Sequence, residues 1–182
     1  KKCMLVIRSL YRSRFNLLRK KVRGRTMSSH SSNPFSVLLF DLDGTLYDAD
    51  NGYVSHQRRN LFEYIYKTGI VPRPEDGSVD AAEAYWRPLF KQYNQSLRGL
   101  RSAGNEIDSE DYWAYCRNGT QDFFSADEAL QSFLASLPKT QKKYIFTNCN
   151  EKQALECMDC LGITPYFDPT IYGAKFMNDV CK

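Results

Sequence analysis

The sequence predicts an α/β fold carrying an all-helical insertion, and three observations lead there. Two β-prone runs, Phe35–Phe40 and Lys142–Phe146, each end in small polar residues. Segments with the 3.6-residue apolar period of helices lie before and after the second run. Between the two runs, residues 49–125 are far too long for a loop and are patterned helically throughout.

The first run, Phe35-Ser36-Val37-Leu38-Leu39-Phe40, leads straight into Asp41-Leu42-Asp43-Gly44-Thr45-Leu46-Tyr47. A strand repeats every two residues, so Asp41 and Asp43 would share a face if it continued. Gly44 breaks it, which leaves both acids at the carboxyl end, where open α/β sheets bind their ligands. A lone Asp-Gly is commonly just an acidic turn. Two carboxylates this close repel, however, and a hard, oxygen-seeking cation such as Mg²⁺ relieves the repulsion.

Three helices are expected in the insertion. One starts at Ser55, with Leu61, Phe62, Ile65 and Tyr66 on one face before Gly69. Another runs from Asp80 through Tyr85, Trp86, Leu89, Phe90 and Tyr93 to Leu97, with a kink at Pro88. The third spans Ser109 to Arg117. The aromatic residues Tyr85, Trp86, Phe90, Tyr93, Tyr112 and Trp113 could stack a flat ligand, although such stripes are ordinarily core.

Ahead of the second strand, Ser125-x-x-Glu128 reads as a capping box, Leu130, Phe133, Leu134 and Leu137 form an apolar stripe, and Pro138 closes the helix. The strand then ends at Thr147-Asn148, and a hydroxyl next to a helix N-terminus suits phosphate binding. A further helix is expected from Glu151 to Leu161, with Ala154, Leu155, Met158 and Leu161 toward the sheet and Gly162 as its stop. A short strand near Thr170–Gly173 precedes Asp179-Val180-Cys181-Lys182.

The strings Asp41–Tyr47, Phe146-Thr147-Asn148 and Asp179–Lys182 resemble, in order and spacing, the first three motifs of the haloacid dehalogenase superfamily of phosphohydrolases. The resemblance implies a Rossmann-like parallel core with a small helical cap inserted after its first strand. It makes Asp41 the nucleophile and Asp43 the general acid/base, both also metal ligands for Mg²⁺. By the same resemblance Thr147 and the Asn148 backbone N–H bind the phosphoryl group, and Lys182 neutralises its charge. Dehalogenases of the family lack the second acid, so Asp43 implies phosphoryl transfer. Tyr93-Asn94-Gln95-Ser96-Leu97-Arg98-Gly99-Leu100, with Leu46-Tyr47, looks like the pyrimidine 5′-nucleotidase branch of fungi and plants, with Asn94 where relatives often carry Gly. In that setting Arg98 is a candidate contact to phosphate or sugar. The family's fourth motif, an acid pair on a later strand beside the Asp41 strand, has no counterpart after Lys182. The expectation is therefore a core incomplete at its C-terminus, a fragment with one apolar strand edge exposed.

The net charge of +4 conceals an asymmetry. Residues 1–33 hold ten Lys/Arg and no acid, whereas residues 34–182 hold fifteen Lys/Arg against twenty-one Asp/Glu. The expected division is a basic, disordered or transit-like tail (1–33), a catalytic core (34–48 and 126–182) and a helical cap (49–125). Met27-Ser28-Ser29 would make a natural start, so whether residues 1–26 belong to the mature protein stays open. The expected location is cytoplasmic, or mitochondrial or plastid if the tail is a transit peptide. The six cysteines are expected as reduced thiols, and Cys157-x-x-Cys160, inside a helix and without a second pair, does not read as a zinc site.

Composition excludes a transmembrane helix, since no run approaches about 18 apolar residues. Two function classes remain. One is a Mg²⁺-dependent phosphomonoesterase acting on a small phosphate monoester, a nucleotide first, with a sugar-phosphate phosphatase or phosphomutase as the alternative and no nucleic-acid polymer as partner. The other is a catalytically incomplete domain that binds phosphate or a partner without turnover. Oligomeric state is not legible.

Overall fold

Strands and helices alternate as the sequence pattern requires. The structure is a computed structural model that describes residues 3–7 and 35–176. Four strands, β1 (Cys3–Ile7), β2 (Phe35–Phe40), β3 (Lys142–Phe146) and β4 (Ile171–Tyr172), form one sheet in the order β1-β2-β3-β4, every pair parallel. Around it stand α5 (Glu128–Ser136) and α6 (Glu151–Leu161), the second making the crossover from β3 to β4. The expected α/β, Rossmann-like parallel core is thus the fold observed.

The described residues divide into two units: an α/β unit up to Asn51 and from Gln121 onward, and a helical unit, Gly52–Thr120. The helical unit holds α1 (Tyr53–Lys67), α2 (Asp80–Tyr93), α3 (Ser96–Ser102) and α4 (Ser109–Cys116). Its core gathers Leu61, Phe62, Ile65 and Tyr66 from α1 with Trp86, Leu97, Leu100 and Tyr112. The unit is also closed at its base. The Tyr53 hydroxyl donates to the Arg117 carbonyl at 3.2 Å and meets the Thr120 hydroxyl at 2.8 Å, joining its first and last turns.

In the α/β unit, Phe40 and Ile145 are fully buried partners across β2 and β3. Gln141, also buried, donates from Nε2 to the Phe35 carbonyl at 2.9 Å and so locks the starts of the two strands together.

Several local expectations are corrected. Residues 3–7, assigned from sequence to a basic, disordered or transit-like tail, form β1, because Cys-Met-Leu-Val-Ile is an apolar, β-prone pentapeptide within the basic segment. It pairs with β2 through an irregularity that skips Ser36, so β2 has neighbours on both sides and no exposed edge over Val37–Phe40. The helix expected to reach Leu97 passes Pro88 and stops at Asn94, whose φ of 51° is left-handed; the chain restarts at Ser96. Helix α5 is capped by Asp127, whose carboxylate accepts from Leu130 N–H at 2.9 Å, and not by Ser125. On α6, Leu155 faces outward, while Gln153 and Cys157 take the buried stripe with Ala154, Met158 and Leu161.

Candidate active site

The register of two strands places the main candidate residues. Phe40 pairs with Ile145, so Asp41 lies one residue beyond that pair on β2 and Thr147 two residues beyond it on β3. Since the strands are parallel and adjacent, both side chains belong to the same, carboxyl edge of the sheet. That is the ligand-binding edge of open α/β folds.

After Phe40 the chain folds into one helical turn. The N–H groups of Thr45 and Leu46 both donate to the Leu42 carbonyl, at 3.1 and 3.0 Å, and Gly44 supplies the left-handed residue (φ +69°). Leu42, Thr45, Leu46 and Tyr47 are buried, which anchors the turn, whereas Asp41 and Asp43 are half-buried and keep access to solvent. The Asp41 carboxylate accepts from the Leu42 N–H at 2.9 Å. The Tyr47 hydroxyl donates to Asp43 Oδ1, and the Tyr47 ring meets Phe124 edge-on with centroids 4.7 Å apart. Tyr47 and Phe124 also line a cavity of about 440 Å³ with Asp48, Asn51 and Asp127. Sequence reasoning quoted Tyr47 without a role; the legible signal was its position four residues after Asp43 in a tight turn.

At the end of β3, Thr147 is buried, with its N–H bonded to the Tyr172 carbonyl at 3.0 Å. Its hydroxyl oxygen accepts from the Cys149 N–H at 3.1 Å, which leaves the hydroxyl proton as a donor. Asn148 is exposed, and among the described residues nothing accepts from its backbone N–H. Asn150 then caps α6, its side chain accepting from the Gln153 N–H at 3.1 Å. The partial positive end of α6 therefore follows directly on the Thr147–Asn148 pair. Glu151, in the first turn of α6, accepts from the N–H groups of Gly173 and Phe176 at 3.2 and 3.3 Å, and the Ala174 N–H reaches the Cys149 carbonyl at 2.8 Å. The loop after β4 is thereby fastened to the loop after β3. Neither Glu151 nor Gly173 was singled out from the sequence, because their roles depend on contacts between loops.

Other candidates fall elsewhere. Lys182 lies outside the described residues, as do Asp179–Cys181. Arg98 is exposed on α3 in the helical unit. Of the aromatic residues considered for stacking, Trp86 and Tyr112 are core, and the indole N–H of Trp86 is held by the Ser96 hydroxyl at 2.9 Å. Phe90 is exposed and stacks on Trp86. His56 contacts the Asn118 carbonyl and the Asn60 side chain, both at 3.0 Å.

The donor set fits Mg²⁺ by its chemistry. Asp41 and Asp43 offer hard carboxylate oxygens on one turn, and Mg²⁺ is commonly held by one or two carboxylates, its remaining positions filled by water and substrate phosphate. Among the described residues no group of three or more His, Cys, Asp or Glu gathers. No helix among the described residues is long and apolar enough to cross a membrane.

Fold and site together define an α/β protein with paired carboxylates and a hydroxyl at the carboxyl ends of adjacent parallel strands. Over 144 residues the chain is 27% identical to Phosphate metabolism protein 8 of Saccharomyces cerevisiae, a match that covers 75% of this chain and 43% of that protein. It is also similar to a crystal structure of the HAD-hydrolase YfnB from Bacillus subtilis bound to magnesium, with 16% identity and a TM-score of 0.42 over 78% of this chain and 66% of that one. The chain thus spans less than half the length of the yeast relative and just under two thirds of the Bacillus structure. No family model matches.

Proposed function

We propose that this chain carries the site of a Mg²⁺-dependent phosphomonoester hydrolase of the haloacid dehalogenase type, acting on a pyrimidine nucleoside monophosphate through an aspartyl phosphate. The observation that supports this most is the pairing of Asp41 and Asp43, just past the end of β2, with Thr147 just past the end of β3. The yeast relative, named for phosphate metabolism, supports phosphate chemistry more generally.

In this reading the Asp41 carboxylate attacks phosphorus while the bond to the leaving oxygen breaks, and Asp43 gives that oxygen its proton. Asp43 then takes a proton from water as the water oxygen attacks phosphorus. The bond to Asp41 breaks, releasing phosphate and restoring the carboxylate. The Thr147 hydroxyl and the Asn148 N–H bind the phosphoryl oxygens, and Lys182 offsets their charge. Asp41 and Asp43 are the residues that would hold Mg²⁺, which when bound supplies charge neutralisation to the transferring phosphoryl group.

The test is phosphate release by this chain from an aryl phosphate and from a panel of nucleoside monophosphates and sugar phosphates, with Mg²⁺ and with a chelator. Mg²⁺-dependent release fastest from pyrimidine nucleotides is expected. A preference for sugar phosphates would overturn the substrate assignment alone. Phosphate binding with no turnover of any ester would overturn the enzyme assignment.

A further inference from the structure

We propose that Tyr47 is a positioning residue for Asp43, its hydroxyl fixing the carboxylate for proton transfer to the leaving oxygen. The inference deepens the reading above and rests on Asp43 being the general acid/base.

Three observations carry it. The turn closed by Thr45 and Leu46 on the Leu42 carbonyl brings residues 43 and 47 to the same side, and the Tyr47 hydroxyl donates to Asp43 Oδ1. Tyr47 is buried, so its phenol is held by the surrounding core and not by solvent. Its ring is braced edge-on by Phe124, which stands in the segment where the chain re-enters the α/β unit. Asp43 itself is half-buried on a turn, and a carboxylate there has two side-chain torsions to restrain. A rigid donor on Oδ1 restrains them. Proton transfer needs the acid within hydrogen-bond reach of the leaving oxygen, so this restraint bears directly on the chemical step.

The Tyr47→Phe variant keeps the ring and its packing on Phe124 and deletes only the hydroxyl. Leaving groups separate a positioning role from a structural one. An activated aryl phosphate departs with little proton donation, whereas an alkyl phosphate such as a nucleoside monophosphate needs it fully. For the full chain with Mg²⁺, Tyr47→Phe should lower kcat/KM, which reports the steps up to departure of the leaving group and not the later attack of water, by about 10- to 100-fold on the alkyl phosphate and by less than about threefold on the aryl phosphate. In an Asp43→Ala background the same change should add nothing. Phe124→Leu, which loosens the brace but keeps the hydroxyl, should show the same selectivity to a smaller degree, and it carries the test if Tyr47→Phe does not fold. Equal losses of kcat/KM on both substrates, or no loss, would overturn the role of Tyr47 while the hydrolase reading stands. A wild-type chain inactive on both substrates would overturn that reading, and this inference with it.

Discussion

Asp41 and Thr147 follow adjacent parallel strands, offset by one residue about the buried Phe40–Ile145 pair. That offset follows from the sheet register of the α/β unit alone. Their supports differ. Asp41 is held through the turn that follows it, whereas Thr147 is held by bonds to Tyr172 and Cys149.

Thr147 therefore carries a structural load that a hydroxyl deletion would expose. Thr147→Val preserves the shape but leaves the buried Cys149 N–H without its acceptor, at a cost of about 1–3 kcal/mol. A thermal scan should show the midpoint falling by about 2–4 °C per kcal/mol in a chain of this size. Thr147→Ser should restore both the midpoint and any affinity for inorganic phosphate measured by calorimetry.

Gly173 sits where a side chain has no room. A Cβ there would lie 2.7 Å from the Cys149 carbonyl oxygen and 2.9 Å from Glu151 Cδ. Gly173→Ala should push the post-β4 loop off Glu151, with an overpacking cost of about 1–3 kcal/mol. Hydrogen exchange should then quicken at the Phe176 amide, which donates to Glu151 in the wild type. Unchanged exchange would mean that the loop is held by something other than Glu151.

The helical unit should lose stability in alkali. Burial pushes the Cys116 thiol from 9.0 up to about 12, and burial likewise raises the phenols of Tyr112 and Tyr64. The folded state keeps the thiol neutral while the unfolded chain ionises it at its ordinary value, so this contribution is complete below about pH 9 and declines as pH rises toward about 12. Urea unfolding followed between about pH 9 and 11 should lose about 1.4 kcal/mol per pH unit from this one group. The tyrosines add to the slope once their ordinary range is passed. Cys116→Ala should flatten the slope by the thiol's share, whatever its effect on stability at neutral pH.

Much of this architecture was legible because it rests on periodicity. Strand β2, strand β3 and helix α6 follow from runs whose apolar spacing permits little else, and Gly162 ends α6 in the left-handed conformation that its type suggests. The chain's choice of Asp127 over Ser125 as a cap depends on which backbone turns first, and both candidates carry the right oxygen. Leu155 looked inward because four apolar residues share that helix, yet burial of Gln153 and Cys157 rotates the stripe away from it. Strand β1 was out of reach. Its partner β2 lies 27 residues farther along, and local pattern does not specify parallel pairing at that range.

The candidate site divides similarly. The placement of Asp41, Asp43 and Thr147 past the ends of β2 and β3 was readable. The bond from Tyr47 to Asp43 was not, since it depends on the backbone of the Leu42–Leu46 turn and on a ring contact with a residue 77 positions away. Lys182 lies outside the described residues, so its role remains a proposal carried by the motif alone.

The central claim is that Asp41 attacks phosphorus, and trapping its product tests it most directly. The chain would be incubated with Mg²⁺ and an activated aryl phosphate, quenched in acid, digested and analysed by mass spectrometry, with Asp41→Asn alongside. The account predicts one acid-stable, hydroxylamine-labile phosphoryl group on the peptide that bears Asp41, absent from the variant. Phosphate release at a normal rate from Asp41→Asn, or a phosphoryl group on any other residue, would contradict it.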